Sequence, residues 1–144
     1  LRPPRPQDAQ VAADAAPAPP AGLSAYVMPV VGRLIAGFGE ARQGVPASRG
    51  IVVSARQGAQ IVSPGAGRVA FAGPFRGFGT IVIVEHPGGW TSLVTGLAQL
   101  DIAVGDNLVA GSPLGIAGAG QPQVSLELRL NGQPVNPLEY IRTL

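Results

Sequence analysis

The sequence has 144 residues, of which 21 are Gly and 15 are Pro, and it carries a net charge of +2 with only 12% charged residues. Because Gly and Pro punctuate strands and break helices, this composition favours a turn-rich β domain over a helical bundle. The absence of Cys excludes disulfides and thiolate metal ligands, and the ten basic residues, all Arg and scattered singly, form no basic run of the kind expected for nucleic-acid binding.

Residues 1–24 form an Ala/Pro-rich segment without apolar periodicity. Such a composition is typical of a flexible linker. We therefore predict a linker over residues 1–24 and one folded domain over residues 25–144. Because the sequence starts LRPPRP without Met, we expect it to be a fragment whose targeting signal lies upstream.

From Tyr26 onward, apolar and β-branched runs alternate with Gly, Pro and Asn, which predicts short strands joined by tight turns. The run TIVIVEH at residues 80–86 is nearly all apolar and predicts a central strand buried on both faces. The pair Asn131-Gly132 predicts a hairpin turn. Asn136 followed by Pro137 predicts one short helical turn near the end of the chain. The predicted fold class is all-β.

Residue types that carry catalysis are scarce. His86 is the only His in the chain, whereas catalytic zinc sites generally use two or three. It ends a strand and begins the turn EHPGG, so we interpret it as a structural residue whose imidazole bonds to the backbone. The eight acidic residues form no close pair of the kind that paired-carboxylate catalysis uses. These observations favour a binding module over an independent enzyme.

The segment PQVSLELRLNG at residues 122–132 predicts a strand whose alternate side chains share one face. Those side chains are Gln123, Ser125, Glu127 and Arg129. A spacing of two residues on one strand face suits two metal ligands, but Gln and Ser make a poor zinc site. The segment raises the question whether a metal site was lost here or never existed.

Several motifs follow one another in a fixed order over residues 29–140. They include RGIVV at 49–53, SPGAGRVAFAG at 63–73, GFGTIVIVEH at 77–86, GDNLVAGSPLG at 105–115 and LELRLNGQPVNP at 126–137. In this order and spacing they resemble the LytM, or lysostaphin-type, metallopeptidase domain, which cleaves peptide cross-links in bacterial peptidoglycan. The resemblance implies an antiparallel, sandwich-like β-sheet domain with a central groove.

Active members of that family hold zinc through an H-x-x-x-D motif and an H-x-H motif, and they use a further His in a Tyr-Ala-His-Leu segment. The matching segments here read SRGIV, QVS and VTGL. All five family positions are therefore replaced, by Ser48, Val52, Gly96, Gln123 and Ser125. Because Val52 cannot ligate a metal and Gly96 has no side chain, the resemblance implies a domain without zinc and without catalysis.

The sequence also resembles one group within this family, the members that bind no metal. RGIVV, with an apolar residue in place of the ligand Asp, resembles the EnvC/NlpD type of murein hydrolase activator. In that group a degenerate LytM domain binds a zinc-dependent N-acetylmuramyl-L-alanine amidase and relieves its autoinhibition. The resemblance implies a regulator of septal peptidoglycan splitting and daughter-cell separation in the periplasm of a Gram-negative bacterium. It also implies peptidoglycan or the division machinery as partners of an N-terminal segment that this sequence lacks.

We expect the regulatory helix of the amidase to bind a groove at the former metal site. In this interpretation Val52 and Gly96 make the floor apolar and roomier, and Arg49 and Arg129 flank it. The predicted groove consists of Arg49, Val52, Phe78, Ile81, Val94, Gly96, Gln123, Ser125 and Arg129. Three of these assignments stay open. Arg129 can instead pair with Glu127 or Glu139, Val94 suits the core equally well, and Phe78 can be a turn aromatic that packs on the sheet.

A passive peptidoglycan-binding module is the alternative function, although an aromatic content of 5% argues against sugar stacking. The stretch GDNLVAGSPLG also resembles lipoyl- or biotinyl-type carrier domains. Those carriers need a Lys for attachment of their cofactor, and this chain has none. The carrier reading is therefore excluded.

Overall fold

The computed structural model describes residue 23 and residues 25–39, 49–75 and 79–141. Within these residues the chain forms ten β-strands and one short 3₁₀-helix, so the predicted all-β class is confirmed. No helix in this part of the chain is long and apolar enough to cross a membrane.

The strands are short and follow one another closely, as the spacing of the turn residues predicts. They are β1 (Gly32–Ala36), β2 (Ile51–Ala55), β3 (Gln60–Val62), β4 (Gly67–Phe75), β5 (Gly79–Glu85), β6 (Trp90–Leu100), β7 (Asn107–Leu108), β8 (Pro113–Ala117), β9 (Gln123–Leu130) and β10 (Gln133–Val135), and the 3₁₀-helix is Pro137–Glu139.

Every strand pair is antiparallel, and the main path through the sheet runs β1-β2-β9-β6-β5-β4-β7. The long strand β6 pairs with β9 over its first half and with β8 over its second half. The sheet therefore branches along β6, where β8 leads away to β3.

Alternate residues of the central strands build one hydrophobic core, as expected for strands with one buried face. On β2 the side chains of Ile51 and Val53 are buried, and on β9 those of Val124, Leu126 and Leu128. Removing each aliphatic side chain of this size from water contributes about 1.5–3 kcal/mol. The intervening residues of these strands point to the other face of the sheet, which carries the candidate site.

The predicted central strand TIVIVEH is β5, which lies between β4 and β6. Val82 and Val84 are fully buried in the core, and Ile81 is buried on the opposite face at 4% exposure. The prediction of burial on both faces is therefore confirmed.

The segment that precedes β1 packs across the core. Tyr26 is fully buried, and the N–H of Val27 donates to the carbonyl of Pro64 at 2.8 Å. Leu23, which the predicted boundary assigns to the linker, is 2% exposed and belongs to the core cluster. The folded domain therefore includes Leu23. The remainder of the predicted linker, residues 1–22 and Ser24, lies outside the described residues.

The end of the chain follows the turn chemistry that the sequence predicts. Asn131 and Gly132 have φ angles of 50° and 85°, the left-handed values that a two-residue hairpin between β9 and β10 requires. The side chain of Asn136 accepts a hydrogen bond from the N–H of Leu138 at 3.1 Å, with Pro137 opening the 3₁₀-helix. Both predictions are confirmed.

His86 belongs to a buried polar chain that joins the N-terminal segment to the sheet. Its Nδ1 lies 2.6 Å from the carbonyl of Ala66, and its Nε2 lies 2.7 Å from Oγ of Ser92. That same hydroxyl lies 2.7 Å from the hydroxyl of Tyr26. A neutral imidazole that donates from Nδ1 and accepts at Nε2 satisfies every member of this chain. The structural role predicted for His86 fits this network.

Burial lowers the pKa of His86 from its usual value, and the hydrogen bond to Ala66 opposes the shift only in part. The unfolded chain titrates this side chain near pH 6.5. Between the lowered folded pKa and pH 6.5, the unfolded state therefore binds more protons than the folded state. The free energy of unfolding must fall as the pH drops below 6.5 through this window.

We predict that the urea midpoint of unfolding decreases when the pH is lowered from 7.5 to 5.5. The variant His86→Gln, which can still donate and accept, should be less stable at pH 7.5 but should show a flatter dependence on pH in this range. Because the chain has one His, no other imidazole contributes to the comparison. An equal slope in both proteins would contradict the assignment of a neutral, buried His86.

Candidate partner-binding groove

The face of the sheet opposite the core, here called the groove face, carries the positions where metal ligands were predicted to be lost. Val52 on β2 is the register partner of Ser125 on β9, and Ser125 is the partner of Thr95 on β6. Thr95 in turn is the partner of Ile81 on β5. Because paired residues of antiparallel strands share a face, these four side chains form one row across four strands. We call them the central row.

The central row brings Val52 and Ser125 together, as the sequence predicts. Adjacent strands lie about 4.8 Å apart, so the two side chains are close neighbours. The hydroxyls of Ser125 and Thr95 are hydrogen-bonded to each other. Gln123 lies one step along the same face of β9, opposite Ser54, and is exposed. Ser48 lies outside the described residues.

The backbone around Gly96 is shaped so that no side chain fits there. Thr80 and Ile81 of β5 are paired with Leu97 and Thr95, so Gly96 is an extra residue in β6, a β-bulge. Its φ angle is +99°, and a Cβ atom would lie 2.3 Å from the carbonyl oxygen of Gln123. The expectation that Gly96 makes the floor roomier is wrong, because the backbone of β9 occupies that space.

Val94 does not line the groove. It is fully buried, belongs to the core cluster and is paired with Val82 and Leu126 on the core face. Its neighbour Thr95 points to the groove face, and side chains alternate along a strand. The prediction placed Val94 by its nearness to Gly96, but a bulge interrupts the alternation at that residue. Phe78, also predicted to line the groove, lies outside the described residues.

The two predicted arginines differ in their surroundings. Arg49 is exposed and lines a small cavity of about 160 Å³ together with Val52, Ser125 and Glu127. Arg129 lies on the groove face of β9, and its Nε donates to the carboxylate of Glu127. The alternative in which Arg129 pairs with Glu127 is therefore the one observed. This edge of the groove presents a charge pair, and Arg49 is the cation beside the cavity.

A second row on the same face was missed by the sequence analysis. Phe71 on β4 is paired with Ile83 on β5, Ile83 with Leu93 on β6, and Leu93 with Glu127 on β9. Phe71, Ile83 and Leu93 are half-buried, and we call these three residues the apolar row. The ring of Phe71 also contacts that of Phe75 edge to face at 6.1 Å, and Phe75 is 51% exposed.

The signal for the apolar row was present in the sequence. Ile83 is two residues from Ile81, and Leu93 is two residues from Thr95, so each shares the groove face by simple alternation. Finding Phe71 needed the structure, because a bulge between Val69 and Phe71 shifts its face relative to β5.

The side chains of the groove face do not fit a zinc ion. Val52 offers no donor atom, Gly96 has no side chain, and the hydroxyl of Ser125 is bonded to Thr95. Within the described residues no group of three or more His, Cys, Asp or Glu side chains could hold a metal ion. Zinc needs His, thiolate or carboxylate ligands at close to tetrahedral geometry. The groove face instead has an apolar floor, with Arg49 and the Glu127–Arg129 ion pair at its rim.

Comparison of the sequence with known proteins identifies relatives of this chain. Residues 46–137 match peptidase family M23. The sequence is 33% identical over 117 residues to the murein hydrolase activator EnvC of Escherichia coli. The aligned region covers 78% of this chain and 28% of that protein. It is 30% identical over 125 residues to the murein hydrolase activator NlpD of Salmonella dublin, covering 84% of this chain and 32% of that protein. The chain thus spans less than a third of the length of these relatives.

The fold has close counterparts among solved structures. Csd3 of Helicobacter pylori superposes with a TM-score of 0.76 at 26% identity, covering 86% of this chain and 36% of that one. The antiparallel sheet described above is thus the architecture of this structural neighbour as well.

The bulge at Gly96 leads us to predict that a side chain at this position lowers the free energy of unfolding. Gly96→Ala should cost the strain of a positive φ, about 1–2 kcal/mol, and in addition the displacement of the β9 backbone. Gly111 is the matched control, since its φ is +89° but nothing lies within 4 Å of its Cβ position. Urea unfolding should therefore show a clearly larger loss for Gly96→Ala than for Gly111→Ala. Equal losses would show that β9 does not constrain this position.

Proposed function

Because the chain belongs to peptidase family M23, we propose that it is a non-catalytic LytM domain that binds and activates a zinc-dependent N-acetylmuramyl-L-alanine amidase. In this role it promotes the splitting of septal peptidoglycan and the separation of daughter cells. The observation that carries the proposal is the groove face, where Val52, Ser125 and Gly96 stand at the positions that the resemblance matches to zinc ligands and a catalytic His. Relatives named murein hydrolase activators support the same conclusion.

The chemistry of the groove face favours binding over hydrolysis. Peptide hydrolysis in this family requires a metal to polarise the carbonyl and to activate water. The hydroxyls of Thr95 and Ser125 are engaged with each other, and the only His of the chain lies in the buried network on the core side. The carboxylate of Glu127, which lies on the groove face among the described residues, is paired with Arg129.

The shape and polarity of the face suit an amphipathic helix. The apolar row and Val52 provide a half-buried aliphatic and aromatic surface, which is what the anchor residues of a helix bind. Arg49 and Glu127 line the same small cavity, and together with Arg129 they form a polar rim beside this surface. A regulatory helix with apolar anchors and an acidic residue near Arg49 would complement this arrangement.

Activation then follows from a shift in population. An autoinhibited amidase exists in a closed and an open form, and a ligand shifts that equilibrium only by its difference in affinity for the two. The groove must therefore bind the regulatory helix in the position it takes in the open form. A change from 1:99 to 99:1 would need a difference of about 10⁴ in affinity. Because the partner acts on peptidoglycan and the relatives EnvC and NlpD come from the Gram-negative bacteria Escherichia coli and Salmonella dublin, we infer that the domain lies in the periplasm of a Gram-negative bacterium.

The proposal is tested by release of material from purified peptidoglycan. The domain alone, with zinc added, should release nothing, and with an amidase from the same organism it should stimulate release. Leu93→Asp, which puts a charge in the apolar row, should reduce stimulation at least about tenfold, the effect of losing a central interface anchor. Arg49→Ala should reduce it by less, and Arg129→Ala least, because Glu127 already neutralises that cation.

Val109→Asp is the matched control, since Val109 is an apolar residue with 67% exposure on a turn outside the groove face. It should leave stimulation unchanged. Release by the domain alone that requires zinc would overturn the assignment as a non-catalytic protein. Stimulation that survives Leu93→Asp and Arg49→Ala would place the partner on another surface.

A further inference from the structure

Strand β1 is the terminal strand of the main path through the sheet, and one of its two long edges is open. Among the described residues β1 pairs with β2 and with no other strand. A strand in this position presents a row of backbone N–H and C=O groups that have no partner in the sheet. Gly32, Arg33 and Leu34 are exposed, and so is Val31 immediately before the strand. We call residues 31–34 the open edge, and its backbone is available to a further strand.

The two faces of the open edge differ in chemistry. Arg33 is the register partner of Ser54, which is in turn the partner of Gln123, so the side chain of Arg33 lies on the groove face. Leu34 is the register partner of Val53, whose side chain is buried in the core. Leu34 therefore continues the core face to the margin of the sheet, where it is 43% exposed. A strand paired with β1 would place alternate side chains beside Arg33 and beside Leu34.

A cleft of about 830 Å³ adjoins the open edge, between the beginning of β1 and the end of β2. Arg33 and Arg56 both line it, and none of its lining residues is acidic. Both arginines are exposed, and neither forms an ion pair with any residue that the structure describes, in contrast to Arg129. Their hydrogen-bond donors are therefore available for carboxylates.

The turn that carries Arg56 is fixed by backbone hydrogen bonds. The N–H of Ala59 donates to the carbonyl of Arg56 at 3.1 Å, and the N–H of Gly58 donates to the carbonyl of Gly118 at 3.1 Å. The N–H of Ala117 donates to the carbonyl of Ala59 at 2.9 Å. These bonds tie the turn at residues 56–59 to the end of β8. A binding site on a fixed turn loses less conformational entropy when it is occupied.

A second copy of the chain is a poor occupant of the open edge. Neither β1, with the sequence GRLIA, nor the cleft contains an acidic residue. Pairing of two β1 strands would bring two copies of Arg33 and Arg56 to one edge without a counter-charge, and like charges on facing strands are destabilising. The β-bulge between Leu34 and Ala36 also bends the strand just beyond the open edge. Short, charged and bulged edges disfavour self-association, whereas an acidic strand meets no such repulsion.

From this arrangement we propose that the open edge binds an extended segment of a partner protein in which acidic and aliphatic residues alternate. The segment pairs with residues 31–34 as an added strand. Its acidic side chains lie beside Arg33 and the cleft that Arg56 lines, and its aliphatic side chains cover Leu34. In this mode of recognition main-chain hydrogen bonds provide affinity and alternate side chains provide specificity. The open edge shares no residue with the central row or the apolar row, so this binding does not depend on the proposed activation.

The test is an NMR titration of the complete 144-residue chain, without any amidase. The probe is a capped hexapeptide of alternating Glu and Val, and we expect it to shift the backbone amide signals of residues 31–34 and of Arg56. Replacing each Glu of the peptide by Lys, or grouping the Glu and the Val residues in two blocks, should weaken binding at least about tenfold.

Two further peptides test for an added strand, one N-methylated on every Glu and the other on every Val. Only alternate amides of an added strand face β1. One of the two peptides should therefore bind at least about tenfold more weakly than the unmethylated hexapeptide, and the other about equally well.

Arg33→Gln and Arg56→Gln should each weaken binding of the hexapeptide several-fold, and the double variant at least about tenfold. Arg68→Gln is the matched control, because Arg68 is exposed on β4, which is paired on both sides, and its replacement removes the same charge. It should change the affinity by less than about twofold, the effect of a distant surface charge.

The proposal is overturned if both N-methylated peptides bind as tightly as the hexapeptide, if the three Arg variants weaken binding equally, or if no binding is detected at millimolar peptide. Shifts of the same signals that depend on protein concentration without any peptide would assign the open edge to a second copy of the chain, and would overturn it as well. Because no amidase is present, these outcomes do not bear on the proposed activation, and loss of activation would not bear on them.

Discussion

The antiparallel register of β9 against both β2 and β6 determines what each face of this domain can do. With Ser125 opposite Val52 on one side and Thr95 on the other, every second residue of three strands is assigned to the groove face. The residues between them, such as Val53, Leu126 and Val94, are thereby assigned to the core. A slip of one residue in either pairing would bury polar side chains and expose aliphatic ones. The burial of the core therefore fixes the composition of the site.

The sequence was sufficient for the fold and for part of the site. Short β-branched runs and turn residues predicted an all-β chain, and alternation predicted that Ser125 and Arg129 share a face. Alternation failed at Gly96 and between Val69 and Phe71, where bulges add a residue to one strand only. A bulge is a property of the pairing, and the pairing partner is not visible in a local pattern. For this reason Phe71 was missed, and the sequence could not decide between the groove and the core for Val94.

The polar side chains that are buried in the described part of the domain all have hydrogen-bond partners. Ser125 and Thr95 are hydrogen-bonded to each other on the groove face. Within the core, Ser92 is hydrogen-bonded to both Tyr26 and His86. The core lies on the opposite face of the sheet, so we expect substitutions at half-buried positions of the groove face to change its surface chemistry at little cost to the free energy of unfolding.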